Sequence, residues 1–529
     1  MPLPTIDNSQ FPPATQLNRR RFTRREDLTA DIRLQIAIIA LHSMLFSSWG
    51  AITALAAEYC ISRTFVYMLA AQLQEAGDFV FDETTHWRHD LSLRALSIQM
   101  MLSLRLEGQT SIGATSKIMK RFDCELSSTG SVSQILSRIG RLLPSTVSAS
   151  DGVVQLLVFV SDEIFSKSRP ILLTVDPCSS AILRIELTDS RTANDWREHF
   201  QCLFDNGVNA IYLVSDNGQG LIGGHADAMH DVVRQSDTYH AIAHVLGQWV
   251  NRLEDAAYKA IALEEKWEKV LNSAKSAPVQ EKRLNACIKA HDVAEEACEL
   301  ADTFRYIYLC LIAELNVFDA KGNLRTGQEV EAGINACLDL IKELNHTKIS
   351  EAVNKSRRTL PDLLHYFDIA KGIVDECKDL PISDACLKAY CLAWQWGKAI
   401  RKAKTPARRN AAKENAQFYG DLADGLHDHE DRDIQQEIFG RLDRIVQSSA
   451  MVECVNSIIR PYLNVCKNQV SQELLNLIMF YHNHRRYVDG MRKGKTPMEI
   501  LTGRAQSEDW MSLLFDILQE KDPELLADS

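Results

Sequence analysis

Residues 153–218 read VVQLLVFVSDEIFSKSRPILLTVDPCSSAILRIELTDSRTANDWREHFQCLFDNGVNAIYLVSDNG. Val153–Val160 is an apolar, β-branched run that ends in Ser161-Asp162-Glu163. A second run, Pro170–Val175, is followed by the turn Asp176-Pro177-Cys178-Ser179-Ser180 and a third run, Ala181–Leu187. Short connections between such runs predict three sequential strands. Trp196, Phe200 and Leu203–Phe204 then fall on one face of a helix that stops at Asn206-Gly207. Ala210–Val214 is a fourth strand closing in Ser215-Asp216-Asn217-Gly218, and Asp231–Gln235 a fifth, leading to Ser236-Asp237-Thr238-Tyr239-His240. The expected order is β-β-β-α-β-α-β, a meander followed by α/β alternation.

Upstream the texture is helical. Ile32, Ile36, Ile39 and Leu45 form an expected apolar stripe, a short helix covers Ala51–Tyr59, and Ser62 is a good N-cap for a helix that offers Arg63, Thr64 and Tyr67 outward. Helix, tight turn and N-capped helix is the helix-turn-helix layout. The layout repeats in Leu91–Leu106, Ser111–Arg121 and Ser128–Arg141, and Pro144 with Ser145–Ser150 reads as a linker. Downstream, Ala241–Ser449 is almost entirely helical in pattern, with no chemistry of its own, and Trp394 and Trp396 read there as core or interface residues. A helix from Ala450 carries Glu453, Asn456 and Arg460 at i, i+3 and i+7, on one face.

Charge and cysteines narrow the class. The net charge of −11 over 529 residues argues against a simple nucleic-acid binder. Its distribution does not, because residues 1–150 hold fifteen Lys/Arg against thirteen Asp/Glu. Basic runs lie at Arg19-Arg20-Arg21 with Arg24-Arg25, and from His484-Arg485-Arg486 to Arg492, Lys493 and Lys495. The thirteen cysteines are scattered, odd in number and without a Cys-x-x-Cys pair, as expected of reduced thiols in a cytoplasmic protein. No apolar run is long enough for a membrane span, and the N-terminus lacks a signal-peptide pattern. No phosphate-binding loop occurs, and Gly218, Gly220, Gly223 and Gly224 do not match a dinucleotide fingerprint, so no nucleotide cofactor is expected.

The acids carry the candidate chemistry. Asp162 and Asp216 end the first and fourth strands, and Glu453 lies on a helix beyond the last. Carboxylates from separate elements suit a pair of hard divalent cations and in-line phosphoryl transfer. Glu163 competes with Asp162 as the ligand; Asp176 reads as a turn former, and Asp216-Asn217-Gly218 reads as either turn or ligand.

The stretches around Asp162, Asp176, Trp196 and Asp216, together with Val452-Glu453 to Leu463 and Phe480-Tyr-His-Asn483-His-Arg485-Arg486 to Leu501, resemble DDE transposases of bacterial insertion sequences. Asp237-x-x-His240 is similar to the signature of those with a large helical insertion before the glutamate. The resemblance implies a multidomain, mainly α protein with an α/β RNase H-like core. The domains expected are a basic arm (1–30), helix-turn-helix DNA-binding domains (31–80 and 91–145), the first part of the core (151–240), an all-α insertion (241–449), the second part of the core with the glutamate (450–505) and a tail (506–529). It implies Asp162, Asp216 and Glu453 as catalytic residues holding two Mg²⁺ ions, with Mn²⁺ as a substitute, and Asp237, His240, Asn456 and Arg460 in support. Double-stranded DNA is the implied partner, as element ends and target, bound by at least a dimer near the nucleoid. Its expected contacts are Arg19, Arg20, Arg21, Arg24, Arg25, Arg63, Thr64, Tyr67, Lys117, Lys120, Arg121, Arg138, Arg485, Arg486, Arg492, Lys493 and Lys495. The rivals are a non-catalytic DNA-binding regulator and a nuclease that cuts without joining.

Overall fold

Strand 155–166 sits at the centre of a five-stranded sheet, with a second strand antiparallel on one side and a fourth parallel on the other. The computed structural model describes all residues except 1–24, 26, 47–49, 82–91, 150–154, 404, 427–431, 468, 491 and 528–529. The chain divides into two units, residues 1–96 with 527–529 and residues 97–526.

The first unit holds α1 (Ala30–Leu45), α2 (Ala51–Glu58) and α3 (Arg63–Phe81) around Ile36, Ala40, Leu55, Val66 and Ala70. Ser62 caps α3 as expected, its Oγ accepting from Phe65 N at 3.1 Å. The expected stripe on α1 holds for Ile32, Ile36 and Ile39 but not Leu45, which is exposed. Nine residues at about 100° each place Leu45 on the side of the helix opposite Ile36.

The boundary falls within α4 (Leu93–Leu102), and the second unit continues with α5 (Ile112–Arg121) and α6 (Thr129–Leu142). Residues 145–149 are a correction to the linker reading. Ile185 N donates to Ser145 O, and Val147 N donates to Leu183 O. The segment lies against an edge strand whose backbone groups need partners, so composition alone misread it.

The sheet comprises β1 (Gln155–Ser166), β2 (Arg169–Val175), β3 (Ile182–Leu187), β4 (Val208–Ser215) and β5 (Val233–Ser236), with α7 (Ala193–Asp205) and α8 (Gln219–Ala228) as crossovers. The element order is the one expected. Strands run β3-β2-β1-β4-β5, antiparallel across β3-β2-β1 and parallel across β1-β4-β5. One face of the sheet buries Phe159, Leu172 and Leu213 against Trp196, Phe200 and Leu203 of α7. Glycines let α8 close on α7: a Cβ at Gly224 would meet Trp196 Cβ at 2.3 Å, and one at Gly220 would meet Arg191 O at 1.9 Å. The glycine-rich stretch thus serves helix packing.

The helical insertion contains α9 (Val245–Asn272), α10 (Ala277–Glu314), α11 (Gly327–Glu343), α12 (Thr347–Thr359), α13 (Tyr366–Lys378), α14 (Asp384–Lys402), α15 (Pro406–Gly425) and α16 (Arg432–Leu442). It has its own core, including Trp249, Phe304, Ile334, Tyr366, Tyr390 and Trp394. The chain returns across the sheet, where Tyr212 Oη of β4 donates to Arg444 O at 2.6 Å and accepts from Val446 N at 2.6 Å. It closes with α17 (Ala450–Val465), α18 (Gln472–His484), α19 (Pro497–Thr502) and α20 (Trp510–Lys521). Among the described residues no helix is long and apolar enough to cross a membrane, and all thirteen cysteines are free.

Candidate active site

The parallel register brings two of the three expected acids together. Ser161 of β1 is level with Ser215 of β4, so Asp162 and Asp216 follow side by side. Alternation along β1 then separates Asp162 from Glu163. Asp162 shares its face with α17, where Asn456 Nδ2 donates to Asp162 Oδ2 at 2.9 Å. Glu163 points the other way and pairs with Arg191, just before α7. The ambiguity between the two acids is a matter of which sheet face each occupies.

Asp162 is held in an unfavourable setting for a charge. Burial, and then the negative charges of Asp216, Glu163 and Glu453, push its pKa up to about 7, against a bond from Glu163 N at 2.8 Å that favours the carboxylate. Asn456 is itself buried, and its Oδ1 has no partner. Asp216 is half-buried and accepts from Gly218 N at 2.9 Å, so its turn-forming bond coexists with its place beside Asp162.

The insertion is stapled shut at the same place. Thr238 N donates to Gln447 O at 3.0 Å, and Ser449 N donates to Asp237 Oδ2 at 3.1 Å, with Ser449 Oγ on the same oxygen. Asp237 Oδ1 accepts from His240 N at 3.3 Å. These bonds join the end of β5 to the start of α17 and bring Glu453 to His240, whose Nε2 lies 3.1 Å from Glu453 Oε1. Ligand atoms of Asp237, His240 and Glu453 lie within 4.8 Å of one another, and the three could hold a metal ion. Arg460 is exposed on the same helix.

Ser449, Gln447, Tyr212 and Arg191 all position this site and do not stand out in the sequence. Only Ser449 carries a local signal, as a serine at the start of a helix; its side chain goes to Asp237 instead of the helix. Asp176 is the turn former expected, its Oδ2 accepting from Ser179 N at 2.7 Å and Ser179 Oγ at 2.6 Å.

The expected DNA-binding residues divide into exposed and engaged side chains. Arg19, Arg20, Arg21 and Arg24 lie outside the described residues. Arg63, Thr64 and Tyr67 on α3, Lys117, Lys120 and Arg121 on α5, and Lys493 and Lys495 are exposed. Arg25 bonds Asp27 and the carbonyls of Tyr59 and Cys60. Arg138 pairs with Asp522 at 2.5 Å and Arg486 with Glu499 at 3.0 Å. Arg485 lies over the Tyr481 ring, and Arg492 donates to the carbonyls of Pro177 and Cys178.

No protein-family model and no curated protein matches the chain. Among solved structures, a Drosophila P element transposase strand transfer complex matches at 12% identity, covering 87% of this chain and 100% of that one, with a TM-score of 0.24. A superposition that loose carries no argument about this chain.

Proposed function

We propose that this protein is a DNA-cutting and DNA-joining enzyme, a transposase whose RNase H-like core uses Asp162, Asp216 and Glu453. The observation that carries the reading is the crowding of acids around Asp162, whose pKa burial and the charges of Asp216, Glu163 and Glu453 raise to about 7. Gathering carboxylates at the ends of neighbouring parallel strands is costly unless cations offset it.

The donor set fits hard divalent ions: three carboxylates from three elements, all oxygen ligands. Asp162, Asp216 and Glu453 would hold Mg²⁺ or Mn²⁺, two ions in the fullest form. When bound, such ions supply a deprotonated water or 3′-hydroxyl and charge neutralisation at the phosphate. Asn456 fixes the Asp162 carboxylate through its amide bond. Asp237 has both oxygens occupied by Ser449 and the His240 amide, which suits a brace better than a ligand. His240 beside Glu453 orients that carboxylate. Arg460, exposed one helical turn beyond Asn456, would meet a phosphate. The α2–α3 and α5–α6 pairs would act as helix-turn-helix readers of duplex DNA, and joining two ends calls for at least a dimer.

The test is strand cleavage and joining on duplexes taken from the DNA flanking the coding region, with Mg²⁺ or Mn²⁺. Asp162→Ala, Asp216→Ala and Glu453→Ala are each expected to lose at least about a hundredfold in rate. Full activity in all three would defeat the proposal; cleavage without joining would make the protein a nuclease.

A further inference from the structure

The insertion contains a segment whose charge is out of keeping with the rest of the chain. Residues 398–413 read KAIRKAKTPARRNAAK, seven Lys/Arg and no Asp/Glu in a protein of net charge −11. The run spans the end of α14, the connection, and the first turns of α15, which Thr405 caps and Pro406 begins. Arg401, Arg408, Arg409 and Lys413 are exposed; the Lys402 side chain also reaches the surface, although burial of its amine lowers its pKa. Among the described residues Arg401, Lys402, Arg408 and Lys413 form no ion pair, unlike Arg441 and Arg444 further along, which pair with Glu437 and Glu376. A cation run that had only to keep the domain soluble would gain from acidic partners one turn away. This one has none.

Lys398, the first residue of that run, and Arg492 of the second basic run, about eighty residues after Lys413, both reach the surroundings of the β2–β3 turn. Lys398 is consumed as an anchor: Nζ donates to Ile445 O at 3.0 Å and lies 3.9 Å from the centre of the Trp394 ring. Trp394 Nε1 donates to Asp443 Oδ1 at 2.9 Å, and Cys178 Sγ, in the β2–β3 turn, lies 3.7 Å from Asp443 O. From the other side Arg492 donates to Cys178 O at 2.8 Å, leaving Lys493 and Lys495 exposed beyond it. Lys398 and Arg492 both act electrostatically on the Cys178 thiol. The turn they flank continues β2, whose Val175 is paired with Val160, two residues before Asp162.

We propose that Arg401, Lys402, Arg408, Arg409 and Lys413 of the insertion, with Lys493 and Lys495, form one composite surface around the β2–β3 turn that binds the phosphate backbone of duplex DNA. The acidic cluster repels a polyanion, so cations for the phosphates have to come from a flanking surface, and this one is built from two runs converging beside the strand that carries Asp162. Arg409 and Lys413 lie one helical turn apart on the same face, and the start of α15 adds its own positive potential. The partner follows from the proposed phosphodiester chemistry and rests on that reading.

The experiment is binding of the full chain to a fluorescent duplex in EDTA, across a salt series, where no cleavage takes place and failure of the catalytic reading leaves the result intact. Arg408→Glu/Arg409→Glu/Lys413→Glu is expected to weaken binding roughly tenfold to a hundredfold and to lower the slope of log K against log[salt] by about 2–3, at roughly 0.9 for each phosphate that goes unneutralised. Lys493→Glu/Lys495→Glu is expected to lower it by a further ~2. Arg408→Lys/Arg409→Lys should bind as the parent does, and Lys282→Glu/Lys289→Glu, exposed on α10, should leave the slope in place. Matching melting temperatures exclude unfolding as the cause. An unchanged slope in the triple variant, or a loss confined to binding of polyglutamate, overturns the proposal.

Discussion

Asp162 is the residue on which the proposed chemistry and the stability of this protein meet. Its pKa of about 7 in the fold lies well above that of an exposed carboxyl, so the folded chain holds the proton more tightly than the unfolded one. Its contribution is therefore most favourable in acid and is lost as pH rises from about 4 through 7. In EDTA, Asp162→Asn is expected to melt about 2 °C above the parent at pH 8 and level with it at pH 4, by thermal denaturation. An equal difference at both pH values would mean that the charge of Asp162 is not what the fold resists. The choice between Asp162 and Glu163 is open in the sequence because both follow the same apolar run. Only the pairing with Asn456 on one face and Arg191 on the other separates them. Arg25, Arg138, Arg486 and Arg492 show the same limit: a cation in a sequence does not display the carboxylate or carbonyl that a distant segment brings to it.

Among the elements, α18 explains a motif that the sequence presents as a family feature. Its side chains cover the parts of the β3 edge that residues 145–147 leave open. Gln472 accepts from Leu187 N at 2.8 Å and donates to Ile185 O at 3.0 Å, while Asn483 accepts from Ile182 N and donates to Ile182 O, both at 2.9 Å. His482 Nε2 lies 2.8 Å from Ser180 O, and burial holds its pKa down to about 4. An exposed strand edge invites pairing between chains, and these amides close it. Gln472→Ala/Asn483→Ala is expected to cost about 2–4 kcal/mol in urea unfolding, at roughly 1–2 per residue stripped of its bonds, and to increase concentration-dependent association. Wild-type stability and solubility would rule out this role. Gly224→Ala, whose new methyl collides with Trp196 and the backbone of Ala193 and Arg197, is expected to cost about 1–3 kcal/mol in the same measurement. The strands are legible because runs of Val, Ile and Leu bounded by turns leave few alternatives. The 145–149 segment is not, because its partner is an edge strand some forty residues away.

At the scale of the molecule, a helical insertion with its own core is spliced into a sheet protein without separating the site it interrupts. The reason is local: Asp237 and Thr238 at its start are hydrogen-bonded to Gln447 and Ser449 at its end. That closure is invisible in the sequence, where Asp237 and His240 stand out only as a pair. It leaves Glu453 grouped with Asp237 and His240, a trio that could hold a metal ion, whereas the proposed catalytic set takes the same glutamate with Asp162 and Asp216. Titration of Mn²⁺ into the protein, read by calorimetry, separates them. The account predicts that Asp216→Asn abolishes tight binding while His240→Ala retains it within a few-fold; parent-like binding by Asp216→Asn, with loss in His240→Ala, would contradict it.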